Sequence, residues 1–251
     1  MLFVYWHATP RYDHSMRAFA VAVVLGASAC GRVDFEARSV DALAGSFCSN
    51  VEPEPRLCDD FDELPFAARW AGANIEPNGH LSLDASTFVS SPDALFLKSP
   101  ISGTNGAQVA LFQTFTDPFV TGRIELDIHV DTVGDAGTRI VPARVVFGTS
   151  SIGFGTHANS SEIVQLTSTG TTMTSTSTGL VLGRWTHVRL DVDLSSSAGV
   201  ATLAFDGTQV ATVALDSSFV PAAPRFEAGL AWIETTSTLW SIDLDNVELA
   251  Y

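Results

Sequence analysis

The sequence predicts an all-β fold, and three observations carry that expectation. From Cys48 onward Val, Thr, Ile and Phe are abundant, while Gly and Pro interrupt the chain roughly every 8–15 residues. Several segments alternate apolar and polar residues with the two-residue period of a half-buried strand, and none shows the 3.6-residue period of an amphipathic helix. Hydrophobic residues make up 46% of the 251 and charged residues 16%, which is enough apolar material for one large packed core. About 12–14 strands fit into 48–251 by typical strand and turn lengths, and that many antiparallel strands need two packed sheets or a barrel to bury their apolar faces.

In chain order, the first 29 residues read as an address. Met16-Arg17 precedes the apolar run Ala18–Gly26, and Ala27-Ser28-Ala29 offers an A-x-A cleavage site. Residues 1–15 fit poorly before such a signal, so translation is expected to start at Met16. Small residues running into Cys30 also resemble a bacterial lipobox, although Ala27 stands where Leu is usual. Three cysteines leave one over in an exported chain. A Cys48–Cys58 disulfide, with Pro53 and Pro55 between its ends, would leave Cys30 single at the position where a lipid attaches. Residues 30–47 then form a tether. A plain secreted chain cut after Ala29 is the other reading. The expected location is beyond the inner membrane in the cell envelope, as an outer-membrane or surface lipoprotein.

The strands follow. His80–Asp84, Ala107–Phe115 and Arg123–Asp131 alternate, the last with Ile124, Leu126, Ile128 and Val130 on one face and Glu125, Asp127 and His129 on the other. Arg144–Phe147 and Glu162–Leu166 are shorter runs, and 150–162 (SSIGFGTHANSSE) reads as a Gly/Ser-rich loop. The Thr-rich stretch 167–178 is expected to be a polar hairpin turning near Gly170. Trp185–Asp193 alternates again. Val200–Phe205, Asp206-Gly207 and Thr208–Val213 form a hairpin, because Asp-Gly supplies the positive-φ pair that a tight turn needs. Arg225–Glu234 and Leu239–Leu249 complete the chain. No linker or repeat divides 48–251, which is expected to be one domain.

A formal net charge of −15 argues against nucleic-acid binding and against a polybasic membrane patch. No Cys-x-x-Cys or His-x-x-x-His spacing suggests zinc. No G-x-S-x-G elbow suggests a serine hydrolase.

Five segments taken in order resemble the concanavalin A-like lectin/glucanase superfamily, in particular laminarinase-type glucanases and laminin-G-like domains. They are Asp59-Asp60-Phe61-Asp62 with Arg69-Trp70, Asn78–Leu83, Gly122–Glu125, Gly183–Val188 with Phe205–Val210, and Asp245–Leu249. The resemblance implies a two-sheet antiparallel jelly-roll sandwich, one of whose sheets is concave and binds glycan. It also implies a structural calcium where first and last strands meet, on Asp60 and Asp245, with Asp243 as a substitute ligand. It puts Trp70, Trp185 and Trp240 in the core.

The hydrolases of that family carry E-x-D-x-E on one strand, since retaining cleavage needs two carboxylates about 5–5.5 Å apart. The matching strand here is 161–166. Glu162 remains, Val164 replaces the Asp, and Leu166 replaces the second Glu. The sequence therefore points away from that chemistry and leaves Glu162 as an exposed strand residue. Candidate glycan contacts are Glu162, His157, Asn159, Trp232, Glu125, Asp127 and His129. Trp232 qualifies if Ala231 and Ile233 face the core, because its indole then projects outward to stack on a sugar ring. The leading expectation is an exported, lipid-anchored, non-catalytic module whose partner is a polysaccharide or surface glycan. The alternatives are an adhesion or structural module that binds protein, and a hydrolase or lyase with a relocated site.

Overall fold

A computed structural model describes residues 47–251 apart from 64, 66, 102, 104, 136 and 169. The expected signal peptide, Cys30 and the tether up to residue 46 lie outside the described residues. Among those described, no helix is long and apolar enough to cross a membrane.

After one 3-10 turn, Phe47–Asn50, the described residues form fifteen strands. They are β1 (Leu57–Asp59), β2 (Gly72–Ile75), β3 (His80–Asp84), β4 (Ala94–Lys98), β5 (Ala107–Thr114), β6 (Thr121–Thr132), β7 (Ile140–Phe147), β8 (Ser150–Thr156), β9 (Ser161–Thr167), β10 (Gly170–Thr176), β11 (Trp185–Asp193), β12 (Val200–Phe205), β13 (Thr208–Ala214), β14 (Arg225–Ile233) and β15 (Ser241–Ala250). One sheet runs β13-β12-β11-β6-β15-β4-β3, with β1 added on β15. The other runs β10-β9-β8-β7-β14-β5-β2. Every pairing is antiparallel. The architecture is the two-sheet jelly-roll sandwich expected from the sequence.

The count exceeds the expected 12–14 because β1, β2 and β4 are short and β8 was read as a loop. The β8 error has a clear cause. Ile152 and Phe154 point into the core, but the intervening outward positions are Ser151, Gly153 and Gly155. Half of the strand has no side chain able to display the alternation.

The core lies between the sheets. Leu126 and Ile128 of β6, Val188 and Leu190 of β11, and Leu244 of β15 meet Val145, Ile152, Phe154, Ile163 and Phe226 from the other sheet. Each fully buried side chain of this size contributes about 1.5–3 kcal/mol relative to exposure. The β12–β13 hairpin turns at Asp206 and Gly207 with φ of 47° and 75°, as the Asp-Gly pair requires. The polar stretch is a hairpin too, with Gly170 opposite Thr167. Trp70 and Trp240 are buried. Trp185 is not core: it shares the outward face of β11 with His187 and Arg189 and packs on His129, ring centroids 5.4 Å apart.

At the start of the domain Cys48 and Cys58 are joined in a disulfide. Asp59 accepts the Phe61 amide at 2.9 Å and the Trp70 indole N–H at 2.6 Å, which pins the strand entry to the core.

Candidate functional site

The outward face of the seven-stranded sheet carries a groove. Its floor exists because β8 presents Ser151 and Gly153 between bulkier neighbours. A Cβ at Gly153 would lie 2.5 Å from the Ala143 carbonyl and 2.7 Å from the Arg144 Cβ, so adjacent strands close over this position. Val141 from β7, Val164 and Leu166 from β9 and Met173 from β10 supply apolar surface. Asn105, Arg139, Arg144, Thr171, Trp232 and Glu234 supply the polar and aromatic walls. The enclosed volume is about 170 Å³.

Trp232 is there because β14 is irregular. Phe226, Ala228 and Leu230 face the core, and strict alternation would send Trp232 the same way. Instead the pairing of β14 shifts register after Leu230 on the β5 side and between Ala228 and Trp232 on the β7 side. Ala231 and Ile233 are buried, and the half-buried indole turns into the groove. The Arg139 guanidinium lies 5.9 Å from its ring centroid.

Arg139 links Trp232 to a buried charge network. Glu162, 1% exposed, pairs with Arg139 Nε. His157 Nε2 lies 3.5 Å from Glu162 Oε1, and the Ser175 hydroxyl donates to Oε2 at 3.3 Å. The Arg139 amide donates to Glu234 Oε2 at 3.0 Å. Further along the face, Arg144 Nε donates to Glu227 Oε2 at 2.7 Å, and Arg225 Nε lies 3.0 Å from Glu227 Oε1. Both buried glutamates of this face are thus engaged by guanidinium groups, and on β9 the outward residues after Glu162 are Val164 and Leu166.

The predicted contacts divide. Trp232 lines the groove. Glu162 lies under it as the buried partner of Arg139, not exposed as expected. His157 and the exposed Asn159 occupy the β8–β9 turn, not a long rim loop, and only His157 reaches inward. Glu125, Asp127 and His129 belong elsewhere: β6 is in the eight-stranded sheet, and their side chains take partners on its outward face. Glu125 lies 3.4 Å from Arg123, Asp127 accepts from Asn246 at 2.7 Å and faces His187 Nδ1 at 3.0 Å, and His129 lies beside Asp131. The hydrogen bond that His187 donates to the Asp127 carboxylate raises the His187 pKa. The seven residues therefore cannot form one site. Arg139, Arg144, Asn105 and Glu234 were missed, although an arginine at the outward position of the apolar run 140–147 is a readable signal.

Asp60 and Asp245 do approach a common region, with Asp62 and Asp93. Burial, then the Asp60, Asp245 and Asp93 charges, push Asp62 up to about 7 against the pull of the Asp93 amide; burial lifts Asp245 to about 6. Asp245 itself is saturated: its oxygens accept the Val89 and Ser90 amides at 2.8 Å, the Ser90 hydroxyl at 2.7 Å and the Asn246 amide at 2.8 Å. The surplus negative charge is of the kind a hard cation relieves, but among the described residues Asp60, Asp62, Asp93 and Asp245 do not form a group of three whose ligand oxygens all lie within 4.8 Å of one another. Both raised values stabilise the fold at low pH and lose that contribution as pH rises through them. Without divalent cations, the thermal midpoint is expected to fall between pH 4.5 and 7.5, by about 3–6 °C. Calcium should flatten or reverse the slope. A calorimetric pH series with and without chelator checks both.

The arrangement is a two-sheet antiparallel jelly roll with a lined groove on one sheet. No family model matches the chain, and no curated protein sequence matches it. Among solved structures, it is similar to an endo-β-1,4-glucuronan lyase from the fungus Trichoderma reesei, with TM-score 0.58 and 13% identity over 78% of this chain and 95% of that one. It is similar to a cellulose-induced protein, Cip1, with TM-score 0.57 and 14% identity over 77% and 96%. A botulinum neurotoxin type C, whose cell entry depends on two ganglioside molecules, gives TM-score 0.50 and 11% identity over 72% of this chain and 47% of that one.

Proposed function

We propose that this protein is an exported, lipid-anchored component of the cell envelope whose jelly roll binds a glycan chain in the groove of the seven-stranded sheet without cleaving it. The observation that carries the reading is the groove itself: an outward indole above an apolar floor, rimmed by amide, hydroxyl, guanidinium and carboxylate groups. A pyranose ring has the matching character, with C–H faces for stacking and a rim of hydroxyls for hydrogen bonds. Neighbours of the same fold include a glucuronan lyase and a ganglioside-dependent toxin, which supports a saccharide ligand. The lack of hydrolysis is inferred from Glu162 and Glu227, which are tied to Arg139, Arg144 and Arg225 and do not form a free nucleophile and acid; elimination is tested by the unsaturated-end readout below. The Cys48–Cys58 disulfide supports an oxidising compartment, and Cys30 would carry the lipid. A structural calcium drawn to the surplus negative charge of Asp60, Asp62 and Asp93, with water filling out its shell, would fix the start of the domain to β15.

The test is a glycan array that includes polyuronates, β-glucans and peptidoglycan fragments, read for retention and for released reducing or unsaturated ends. Trp232→Ala is expected to weaken saturable retention about 10- to 100-fold, the range of one lost aromatic stack and its buried area, with the unfolding midpoint little changed. Release of product ends by the parent protein would overturn the non-catalytic reading. Silence across the array would turn the assignment to protein adhesion.

A further inference from the structure

The outward face of the eight-stranded sheet contains a second set of groups that the groove does not use. His129 of β6 and Asp243 of β15 are direct cross-strand partners, and Asp131 lies two residues further along β6 on the same face. One ligand atom from each falls within 4.8 Å of the other two. His129 Nδ1 is 3.0 Å from Asp131 Oδ1 and 3.5 Å from Asp243 Oδ2. Asp243 is 1% exposed, yet neither of its carboxylate oxygens accepts a hydrogen bond, and His129 Nδ1 has only its close approaches to the two carboxylates. A buried carboxylate in that condition needs a proton or a cation, because burial without a partner disfavours the charged form.

We propose that His129 Nδ1, Asp131 and Asp243 bind a divalent transition-metal cation, zinc in particular, at a site separate from the glycan groove. The geometry fits. Tetrahedral zinc with bonds of about 2.0–2.1 Å holds its ligand atoms about 3.3–3.4 Å apart, and the observed 3.0 and 3.5 Å bracket that spacing. The imidazole decides the metal class, since calcium and magnesium prefer oxygen alone whereas zinc, copper, iron and nickel accept nitrogen. The surroundings suit a fixed ion. Trp185 packs on the His129 ring, and Phe96 of β4 is the cross-strand partner of Asp243 on the side away from His129. A water would complete four ligands.

The full-length protein, stripped with chelator, should be titrated separately with zinc, manganese, calcium and magnesium, reading stoichiometry by calorimetry and the unfolding midpoint. One equivalent of zinc is expected to bind and to raise the midpoint. His129→Ala and Asp243→Asn should each weaken that binding by about 100-fold or more, since even outer-shell changes cost 10–100-fold. Asp243→Asn removes an unpaired buried charge, so its metal-free midpoint should equal or exceed the parent's, which separates lost ligation from lost fold. Calcium stabilisation through Asp60 and Asp62 should survive both substitutions. Zinc binding unchanged in both variants would place the ion elsewhere in the chain and overturn the proposal. So would the absence of any zinc effect, in which case Asp131 and Asp243 share a proton. Calcium binding lost in both variants would overturn the metal class.

Discussion

Arg139→Ala is expected to destabilise the protein by about 3–5 kcal/mol in urea denaturation, the cost of leaving one member of a buried ion pair without the other. Arg139 is 7% exposed and Glu162 1%, so water cannot take over the lost guanidinium. His157 at 3.5 Å and the Ser175 hydroxyl at 3.3 Å remain, but neither supplies a permanent positive charge. The pair itself need not be a net source of stability, because desolvating two charges offsets much of their attraction. The double variant Arg139→Met with Glu162→Leu should therefore recover most of the loss. Glycan retention should not recover in the double variant, since the guanidinium beside Trp232 is also part of the groove wall. A cost below about 1 kcal/mol for Arg139→Ala, the range of an exposed pair, would mean that His157 takes the charge and that the network is looser than its geometry implies. The ion pair is then a support for the groove: it holds β9 and the approach to β7 in register under the indole.

Legibility in the sequence followed the side chains that alternation displays. β6 and β11 were readable because Ile124-Glu125-Leu126-Asp127 and Val188-Arg189-Leu190-Asp191 write the period of two directly. The Asp206-Gly207 turn and the Cys48–Cys58 pair were readable from local chemistry. β8 was hidden because its outward positions are Ser151, Gly153 and Gly155, the same smallness that makes the groove. Glu162 was misjudged because its partner Arg139 is 23 residues away and meets it only through strand pairing that no local pattern encodes. The same limit applies to His129 and Asp243, which are cross-strand neighbours separated by more than a hundred residues. Grouping Glu125, Asp127 and His129 with Glu162 failed at one step: alternation says which residues share a face of one strand, but not which of two sheets receives the strand. Trp232 is a different case. Its outward direction depends on a bulge, and the condition on Ala231 and Ile233 could be written from the sequence but not decided there.

That bulge begins at a residue that tolerates no side chain. Gly229 has φ of 125°, and a Cβ there would lie 2.7 Å from Leu97 Cδ2, 2.7 Å from the Val109 carbonyl and 2.9 Å from the Ala110 Cα. Gly229→Ala combines about 1–2 kcal/mol for a positive-φ residue with about 1–3 kcal/mol for overpacking, so a loss of roughly 2–5 kcal/mol is expected in urea denaturation. Gly148→Ala provides the control: its φ is 61° and a Cβ there meets nothing within 4 Å, so only the conformational part should appear. The difference between the two variants measures the close approach of β14 to β5 and to the core together with the extra backbone cost of φ 125° over φ 61°. The consequence for the groove is separate and follows from register. If β14 relieves the clash by sliding, the shift between Leu230 and Ile233 is where it moves, and one residue of slip sends Trp232 from the groove to the core face. Gly229→Ala should then lose glycan retention beyond what its stability accounts for, when compared at a temperature where both proteins are fully folded. Equal retention in the folded variant would show that the bulge is held by Ala231 and its neighbours and not by the glycine two residues before.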